Sequence, residues 1–206
     1  MSSKQYFKEI ATEWDGMANS FFGDGPKMTI SAMVDWDKVD TAADLGCGSG
    51  YLTEEILAHQ KQVISVDQSQ EMLDQVKKKF QSDQVETRKG DGGDIPIQDG
   101  EVELAVANMF LHHVDNPEET IAEAYRILKP GGRWIFTDLD SHDNEFLVTE
   151  QHDKWMGFER SDIEKWMKSA GFKNIEIDCV GANCCASSGC GSDAAEVSIF
   201  VAKGEK

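Results

Sequence analysis

The chain has 206 residues, and 38 acidic against 20 basic side chains give it a formal net charge of −18. This balance argues against a basic surface for nucleic acid or for an anionic membrane, so neither is an expected partner. The length suits one domain with a substantial core. No apolar run approaches the ~20 residues that span a bilayer, and the polar N-terminus does not resemble a signal peptide. We therefore expect a cytoplasmic protein whose five cysteines are reduced thiols rather than a disulfide framework.

Two helices are the first predicted elements, both within residues 1–36. Phe7, Ile10 and Trp14 fall at helical spacing, which predicts an amphipathic helix. A second short helix is predicted over 27–36, after a glycine-rich break. From the residues alone, these pieces are expected to pack against one edge of a sheet.

A glycine-rich turn follows the first short strand. Residues 44–50 read Asp-Leu-Gly-Cys-Gly-Ser-Gly and open a helix, so they predict a ligand cradle at a helix N-terminus. A dinucleotide fingerprint requires G-x-G-x-x-G, but here the third glycine is Gly50 and the next residue is Tyr51. Asp44 precedes the first glycine, where a carboxylate would repel a phosphate and attract an amine. The turn is therefore a poor match to a pyrophosphate site.

The second strand, residues 62–67, closes with an acid, and a helix with apolar residues spaced by four from Met72 to Phe80 follows it. A carboxylate at the end of the second strand of a βαβ unit can accept hydrogen bonds from both hydroxyls of a ribose. The alternative role is a helix N-cap, for which Ser69 is better placed. We therefore predict Asp67 as a ribose ligand.

A weak third strand at 85–88 leads into Gly-Asp-Gly-Gly-Asp at 90–94. Taken alone, this stretch indicates a turn, because glycine and aspartate dominate turns.

The fourth strand is predicted at 101–107. Asn116 as an N-cap with Pro117 at the first helical position predicts a helix behind it. A Pro-Gly-Gly sequence at 130–132 ends that helix and turns the chain into a fifth strand at 134–139.

The glycine-rich turn resembles motif I of the class I S-adenosylmethionine-dependent methyltransferases. The order Leu-His-His-Val at 111–114, Pro-Glu at 117–118 and Leu-Lys-Pro-Gly-Gly at 128–132 resembles their ubiquinone-biosynthesis and arsenite-methyltransferase-like small-molecule type. The resemblance implies a single-domain α/β fold, a doubly wound Rossmann-like sheet of seven strands in the order 3-2-1-4-5-7-6. It implies S-adenosylmethionine as the cofactor and S-adenosylhomocysteine as the product. In that family the glycine turn lies against the amino-acid end of the cofactor.

The resemblance also assigns the Gly-Asp pair of the third loop to the adenine. Asp91 would accept a hydrogen bond from the adenine amino group, and the backbone N–H of Gly92 would donate to the ring. The cofactor-binding residues expected in this chain are Asp44, Gly46, Cys47, Gly48, Gly50, Asp67, Gln68, Met72, Asp91, Gly92, Asn108 and His113.

Two histidines follow the fourth strand, where the resemblance places the acceptor next to the sulfonium. His112 and His113 are the candidate catalytic residues, since one of them could act as a general base toward an oxygen, nitrogen or carbon acid. The alternative is packing against the cofactor or a hydrogen bond to a loop carbonyl. Asn108 is expected to align the methionine amino group or to line the cleft.

Residues 140–158 form a long connection after the fifth strand, and long connections in compact domains are usually functional. We expect this segment to be a lid over the cleft. Ser161 with Glu164 predicts a capping box at the start of the next helix. Strand six is predicted at about 173–179 and strand seven at about 196–202.

A cysteine-rich loop is predicted between those two last strands, with the spacing C-x4-C-C-x4-C. Thiolates and imidazoles together suit zinc, copper(I) or a thiophilic metalloid, although the spacing differs from the C-x2-C pairs of structural zinc sites. Inert or redox-active thiols are the alternative. The identity of any metal stays open at this point, and the candidate substrate or metal ligands are His142, His152, Cys179, Cys184, Cys185 and Cys190.

The predicted organisation is one methyltransferase domain over 1–206, acting as a monomer or homodimer on a small-molecule acceptor such as a thiol, a metal or a metalloid. Two other functions are considered: a soft-metal-binding or sensing protein with a vestigial cofactor site, and a nicotinamide-dependent oxidoreductase. The expected parts are N-terminal cap helices at 1–36, a cofactor-binding core at 37–139, a lid at 140–158, and a C-terminal helix and hairpin at 159–206.

Overall fold

A computed structural model describes residues 21–145, 147–187 and 194–206. The predicted helix with Phe7, Ile10 and Trp14 lies outside these ranges. The helices are α1 Gly25–Met33, α2 Tyr51–Ala58, α3 Gln70–Lys79, α4 Pro117–Ile127 and α5 Arg160–Ala170. The strands are β1 Thr41–Leu45, β2 Gln62–Asp67, β3 Val85–Lys89, β4 Val102–Asn108, β5 Leu128–Leu139, β6 Lys173–Ser187 and β7 Ala194–Glu205. Single helical turns of other types occur at Trp36–Lys38, Leu111–His113 and Leu147–Gln151.

The seven strands form one sheet in the order β3-β2-β1-β4-β5-β7-β6, which confirms the predicted order. β1 pairs in parallel with β2 and with β4, and β7 is antiparallel to both of its neighbours, β5 and β6. The C-terminal ends of β1, β2, β4 and β5 therefore meet at one edge of the sheet. In open α/β sheets, ligands bind at this edge, where the strand order reverses.

Apolar residues cover both faces of the sheet because helices pack on each side. In β4, Ala105 and Ala107 face the core under α4 and α5, whereas Leu104 and Val106 face the core under α1 and α2. This alternation explains why the parallel strands read as nearly continuous apolar runs. The two cores hold the strand ends in place.

Two of the three predicted helix caps are confirmed. Ser69 accepts a hydrogen bond from the backbone N–H of Met72, and Asn116 accepts one from the N–H of Glu119. The predicted capping box is wrong. Helix α5 begins two residues earlier than expected, its N-cap is Glu159 instead of Ser161, and the N-cap side chain makes no capping hydrogen bond.

The C-terminal hairpin is longer than predicted, and this changes where the cysteines lie. β6 continues to Ser187, with Cys184 opposite Val197 and Cys185 opposite Glu196. Cys184 and Cys185 therefore belong to the same strand as Cys179 rather than to a loop, which corrects that expectation. Cys190 lies outside the described residues. The pairing register between β6 and β7 shifts between Cys179 and Asn183.

Candidate functional site

The turn after β1 depends on glycine at three positions. Gly46, Gly48 and Gly50 have positive φ angles of 67°, 53° and 98°, a conformation that other residues adopt at a cost. A Cβ on Gly46 would lie 2.3 Å from Cδ2 of Phe110, and one on Gly50 would lie 2.5 Å from Cε2 of Phe80. The turn thus brings bare backbone to the rim of the cleft, and Gly50 forms the N-cap of α2.

Asp67 ties the end of β2 to this turn. Its Oδ2 accepts a hydrogen bond from the Gly48 N–H at 3.0 Å, and its Oδ1 accepts one from the Ser69 N–H at 2.8 Å. Burial raises the pKa of Asp67 to about 6, against these backbone hydrogen bonds, which lower it. Each carboxylate oxygen has two lone pairs, so Asp67 can still accept a hydrogen bond on either oxygen.

Asp44 is the most deeply buried carboxyl group of the turn, with 1% of its surface exposed. Its Oδ2 accepts a hydrogen bond from Thr53 Oγ1 at 2.7 Å, and the same hydroxyl lies 2.8 Å from Ser65 Oγ. Burial raises the pKa of Asp44 to about 7, although the hydrogen bonds from Thr53 lower it. A cation near Asp44 would favour its ionised form.

The loop after β3 places the predicted adenine ligands on the same cleft. Asp91 is exposed, and its Oδ1 accepts a hydrogen bond from the Gly93 N–H at 3.0 Å. Gly92 is buried, and a Cβ there would lie 2.5 Å from Oγ1 of Thr120. Only a glycine allows α4 to approach this loop so closely.

One cavity of about 250 Å³ joins these parts at the C-terminal edge of the sheet. Eleven of the twelve predicted cofactor-binding residues line it, and Gly50 alone does not. Sequence reasoning missed several lining side chains from outside the motifs. They are Phe22 before α1, Tyr51 in α2, Met109 and Phe110 after β4, and Lys154 in the connection before α5.

Asn108, at the end of β4, also lines the cavity. Its Oδ1 accepts a hydrogen bond from Thr137 Oγ1 at 2.7 Å. The amide nitrogen is therefore the part of the side chain that remains for a ligand.

The two predicted catalytic histidines face different surroundings. His112 is buried and does not line the cavity, and its Nδ1 lies 2.7 Å from Oδ1 of Asp138. Although burial lowers its pKa, the charges of Asp138 and Asp153 raise the pKa of His112 to about 9. His113 does line the cavity, and burial together with the neighbouring His112 charge holds its pKa well below the usual value.

The segment 140–158 packs directly on the loop that carries these histidines. The backbone N–H groups of Lys154 and Trp155 donate to the carbonyl oxygen of His112 at 2.9 and 3.2 Å. The indole N–H of Trp155 donates to the carbonyl oxygen of Val114 at 3.0 Å. Lys154 lines the cavity, and its side chain pairs with Asp115 at 2.7 Å.

The other predicted substrate or metal ligands do not meet at the cavity. His142 is partly buried, and burial with the His112 charge lowers its pKa. His152 has a positive φ of 59°, and Cys179 is exposed. In the described part of the chain, these three residues form no common group of metal ligands. The side chains of Cys184 and Cys185 lie outside the description.

Comparison with known proteins gives a family match over the region of the cleft. Residues 43–136 match a family model described as a methyltransferase domain. An uncharacterized methyltransferase of Schizosaccharomyces pombe is 43% identical over 98 residues, which are 47% of this chain and 38% of that protein. The arsenite methyltransferase of Halobacterium salinarum is 28% identical over 137 residues, 64% of this chain and 34% of that protein. The chain spans 30 to 50% of the length of the first three curated relatives.

Among solved structures, the chain is similar to the methyltransferase component of a complex with the Trm112 methyltransferase activator from Haloferax volcanii. The TM-score is 0.80 at 20% identity, with 97% of this chain and 96% of that chain covered. At this level of identity the likeness shows the fold. No helix in residues 21–145, 147–187 or 194–206 is long and apolar enough to cross a membrane.

Proposed function

We propose that this chain is a class I S-adenosylmethionine-dependent methyltransferase and that it transfers a methyl group from S-adenosylmethionine to a small-molecule acceptor. One observation carries the proposal: a single cavity joins the glycine turn, Asp67 and the Asp91–Gly92 pair to His113 and Lys154. The first three suit the parts of the cofactor, and the last two form the wall nearest the acceptor.

The cofactor fits the chemistry of the residues that are present. Gly46 and Gly92 line the cavity and carry no side chain, so backbone can approach a ligand there. Asp67 would hold the ribose hydroxyls, and Asp91 with the Gly92 N–H would hold the adenine. When bound, S-adenosylmethionine supplies a methyl group on a sulfonium, which leaves as a neutral thioether.

The amino-acid end of the cofactor would lie against the glycine turn. Asp44 lines this part of the cavity, and a carboxyl group suits the amino group of the cofactor. Asn108 already uses its amide oxygen for Thr137, so its amide N–H groups suit the carboxylate. This differs from the expectation that Asn108 aligns the amino group.

The acceptor would meet His113, because His113 lines the cavity and His112 does not. Displacement at a sulfonium needs little covalent help, so holding the acceptor in line with the methyl group supplies most of the rate gain. An imidazole at the wall can receive a proton from an oxygen or nitrogen acceptor. His112, fixed by Asp138, would position the loop rather than touch the substrate.

The proposal keeps the acceptor at the level of a small molecule. A thiol, metal or metalloid acceptor was suggested by the cysteine pattern, but Cys179 is exposed and does not line the cavity. The similarity to an arsenite methyltransferase covers 34% of that protein, so its acceptor does not identify the acceptor of this chain.

Thermal unfolding with candidate cofactors tests the proposal. A ligand at about 100 times its dissociation constant stabilises the folded state by about 2.7 kcal/mol. For a domain of this size, that corresponds to a rise of about 5–10 °C in Tm. We expect S-adenosylhomocysteine to produce this rise and NAD to produce none. A rise with NAD but not with S-adenosylhomocysteine would show an oxidoreductase site instead.

A further inference from the structure

Three side chains from two separate segments converge beside the cavity in a way that the proposed methyl transfer does not require. We propose that His112, His113 and Asp153 bind one divalent first-row transition-metal ion such as Zn²⁺. The two histidines lie in the helical turn after β4, and Asp153 lies in the connection between β5 and α5. Among the described residues, this is the one group of three such side chains whose ligand atoms lie close enough for a single ion.

The distances suit a metal after a small contraction. Asp153 Oδ1 lies 3.8 Å from Nε2 of His112 and 3.8 Å from Nδ1 of His113, and all three ligand atoms fall within 4.8 Å of one another. Zinc binds nitrogen and oxygen at about 2.0–2.2 Å, so tetrahedral ligand atoms are about 3.4 Å apart. Each measured separation to Asp153 exceeds this value by less than half an ångström, which small side-chain rotations can supply.

A second carboxylate orients the first ligand. Nδ1 of His112 lies 2.7 Å from Oδ1 of Asp138, so the other ring nitrogen, Nε2, points toward Asp153. Asp138 is itself held by the backbone N–H groups of Leu111 and Leu139, each at 2.8 Å. A carboxylate behind a metal-bound imidazole is the usual arrangement in protein metal sites, where it fixes the ring and increases its basicity.

Burial and placement indicate an ion that remains accessible from the cavity. The side chains of His112 and Asp153 are 5% and 4% exposed, whereas His113 is 13% exposed and lines the cavity. Two imidazoles and one carboxylate occupy three positions of a metal ion and leave at least one open, as in catalytic metal sites. The open position would face the cavity.

This donor set differs from the thiolate site that the cysteine pattern predicted. Nitrogen and oxygen ligands suit Zn²⁺, Fe²⁺ or Mn²⁺ better than copper(I) or a metalloid. Metal binding stands independently of the proposed function. The further step, in which an acceptor with an anionic oxygen or sulfur occupies the open position and the ion activates it in place of His113 as a base, rests on that function.

The test is a calorimetric titration with Zn²⁺ after chelator treatment. The titration uses a variant in which serine replaces the four C-terminal cysteines, so that their thiolates do not bind the metal. The substitutions are Cys179→Ser, Cys184→Ser, Cys185→Ser and Cys190→Ser. We expect one equivalent of Zn²⁺. With Co²⁺ in place of Zn²⁺, we expect visible d–d absorption and no thiolate charge-transfer band.

Matched variants locate the site. Loss of an outer carboxylate costs about 10- to 100-fold in metal affinity, so loss of a direct ligand is expected to cost about 100-fold or more. We expect this loss for Asp153→Asn and for His113→Gln. Asp115→Asn is the control, because Asp115 pairs with Lys154 at the same cavity but is not a member of the group.

The outcomes separate the two proposals. Absence of Zn²⁺ binding in the protein with the four C-terminal cysteines replaced, or equal affinity for Zn²⁺ in Asp153→Asn and Asp115→Asn, overturns the metal site. The affinity for S-adenosylhomocysteine is measured on the same samples. A protein that binds Zn²⁺ but not S-adenosylhomocysteine overturns the proposed function and leaves the metal site standing. Circular dichroism checks that each variant is folded. If Asp153→Asn is not folded, His113→Gln takes its place in the comparison with Asp115→Asn.

Discussion

Asp67→Asn is expected to raise the dissociation constant of S-adenosylhomocysteine about 30- to 1,000-fold. The substitution keeps the size of the side chain but removes the charge, and it replaces one acceptor oxygen with an amide donor. Hydrogen bonds to charged groups contribute about 1.5–3 kcal/mol each, and two ribose hydroxyls would depend on this carboxylate. We allow for partial compensation by the remaining oxygen and expect a loss of about 2–4 kcal/mol.

The matched control is Asp74→Asn, an exposed acid on α3 that changes the net charge by the same amount. Isothermal titration calorimetry on the three proteins measures the effect. Equal affinity in the wild type and in Asp67→Asn would remove the ribose assignment. Because Asp67 also accepts hydrogen bonds from Gly48 and Ser69, melting temperatures are recorded to separate weaker binding from a weaker turn.

Gly46→Ala is expected to lower the free energy of unfolding by about 2–5 kcal/mol and to weaken S-adenosylhomocysteine binding at least about tenfold. The alanine must keep the left-handed backbone conformation of Gly46, at a cost of about 1–2 kcal/mol. It would also lie 2.3 Å from the Phe110 ring, and such overpacking costs about 1–3 kcal/mol. Relief requires Phe110 to move, and Phe110 lines the cavity.

Gly131→Ala isolates the backbone part of this effect. Gly131 has a similar positive φ of 79°, but no atom lies within 4 Å of the added Cβ. We expect it to cost only about 1–2 kcal/mol and to leave cofactor affinity unchanged. Urea unfolding measures the stabilities. If Gly46→Ala and Gly131→Ala were equally stable and bound S-adenosylhomocysteine equally well, the close approach of Gly46 to Phe110 would have no role in the site.

The sequence predicted the parts of this molecule that depend on local chemistry. The glycine turn, the acid that closes β2 and the caps at Ser69 and Asn116 each require a particular residue at one position, so a short stretch reveals them. The strand order came from resemblance to a family, because parallel pairing between distant segments leaves little local pattern.

The sequence did not predict features that arise when distant segments meet. His112 and His113 are neighbours in one helical turn, and only the packed structure shows that His113 faces the cavity while His112 turns toward Asp138. Asp153 carries no motif, so its approach to both histidines could not be read from spacing. The length of β6 depends on its pairing with β7, which continues past the register shift after Cys179.

The same limit applies to the capping box at the start of α5. Ser161 and Glu164 have the right spacing, but the helix begins two residues earlier, at Arg160, whose guanidinium pairs with Asp140 through two contacts of 2.7 Å. This tertiary ion pair places Ser161 inside the helix, where its side chain cannot act as a cap. Local spacing is therefore weaker evidence than a contact made across the fold.

A crystal structure of the chain with S-adenosylhomocysteine tests the central claim most directly. We expect the amino-acid end of S-adenosylhomocysteine to lie against the turn after β1. Its ribose hydroxyls should bind Asp67, and its adenine should lie between Asp91 and Gly92. A cavity closed by side chains in that crystal, or a ligand bound elsewhere on the molecule with Asp67 and Asp91 untouched, would contradict it.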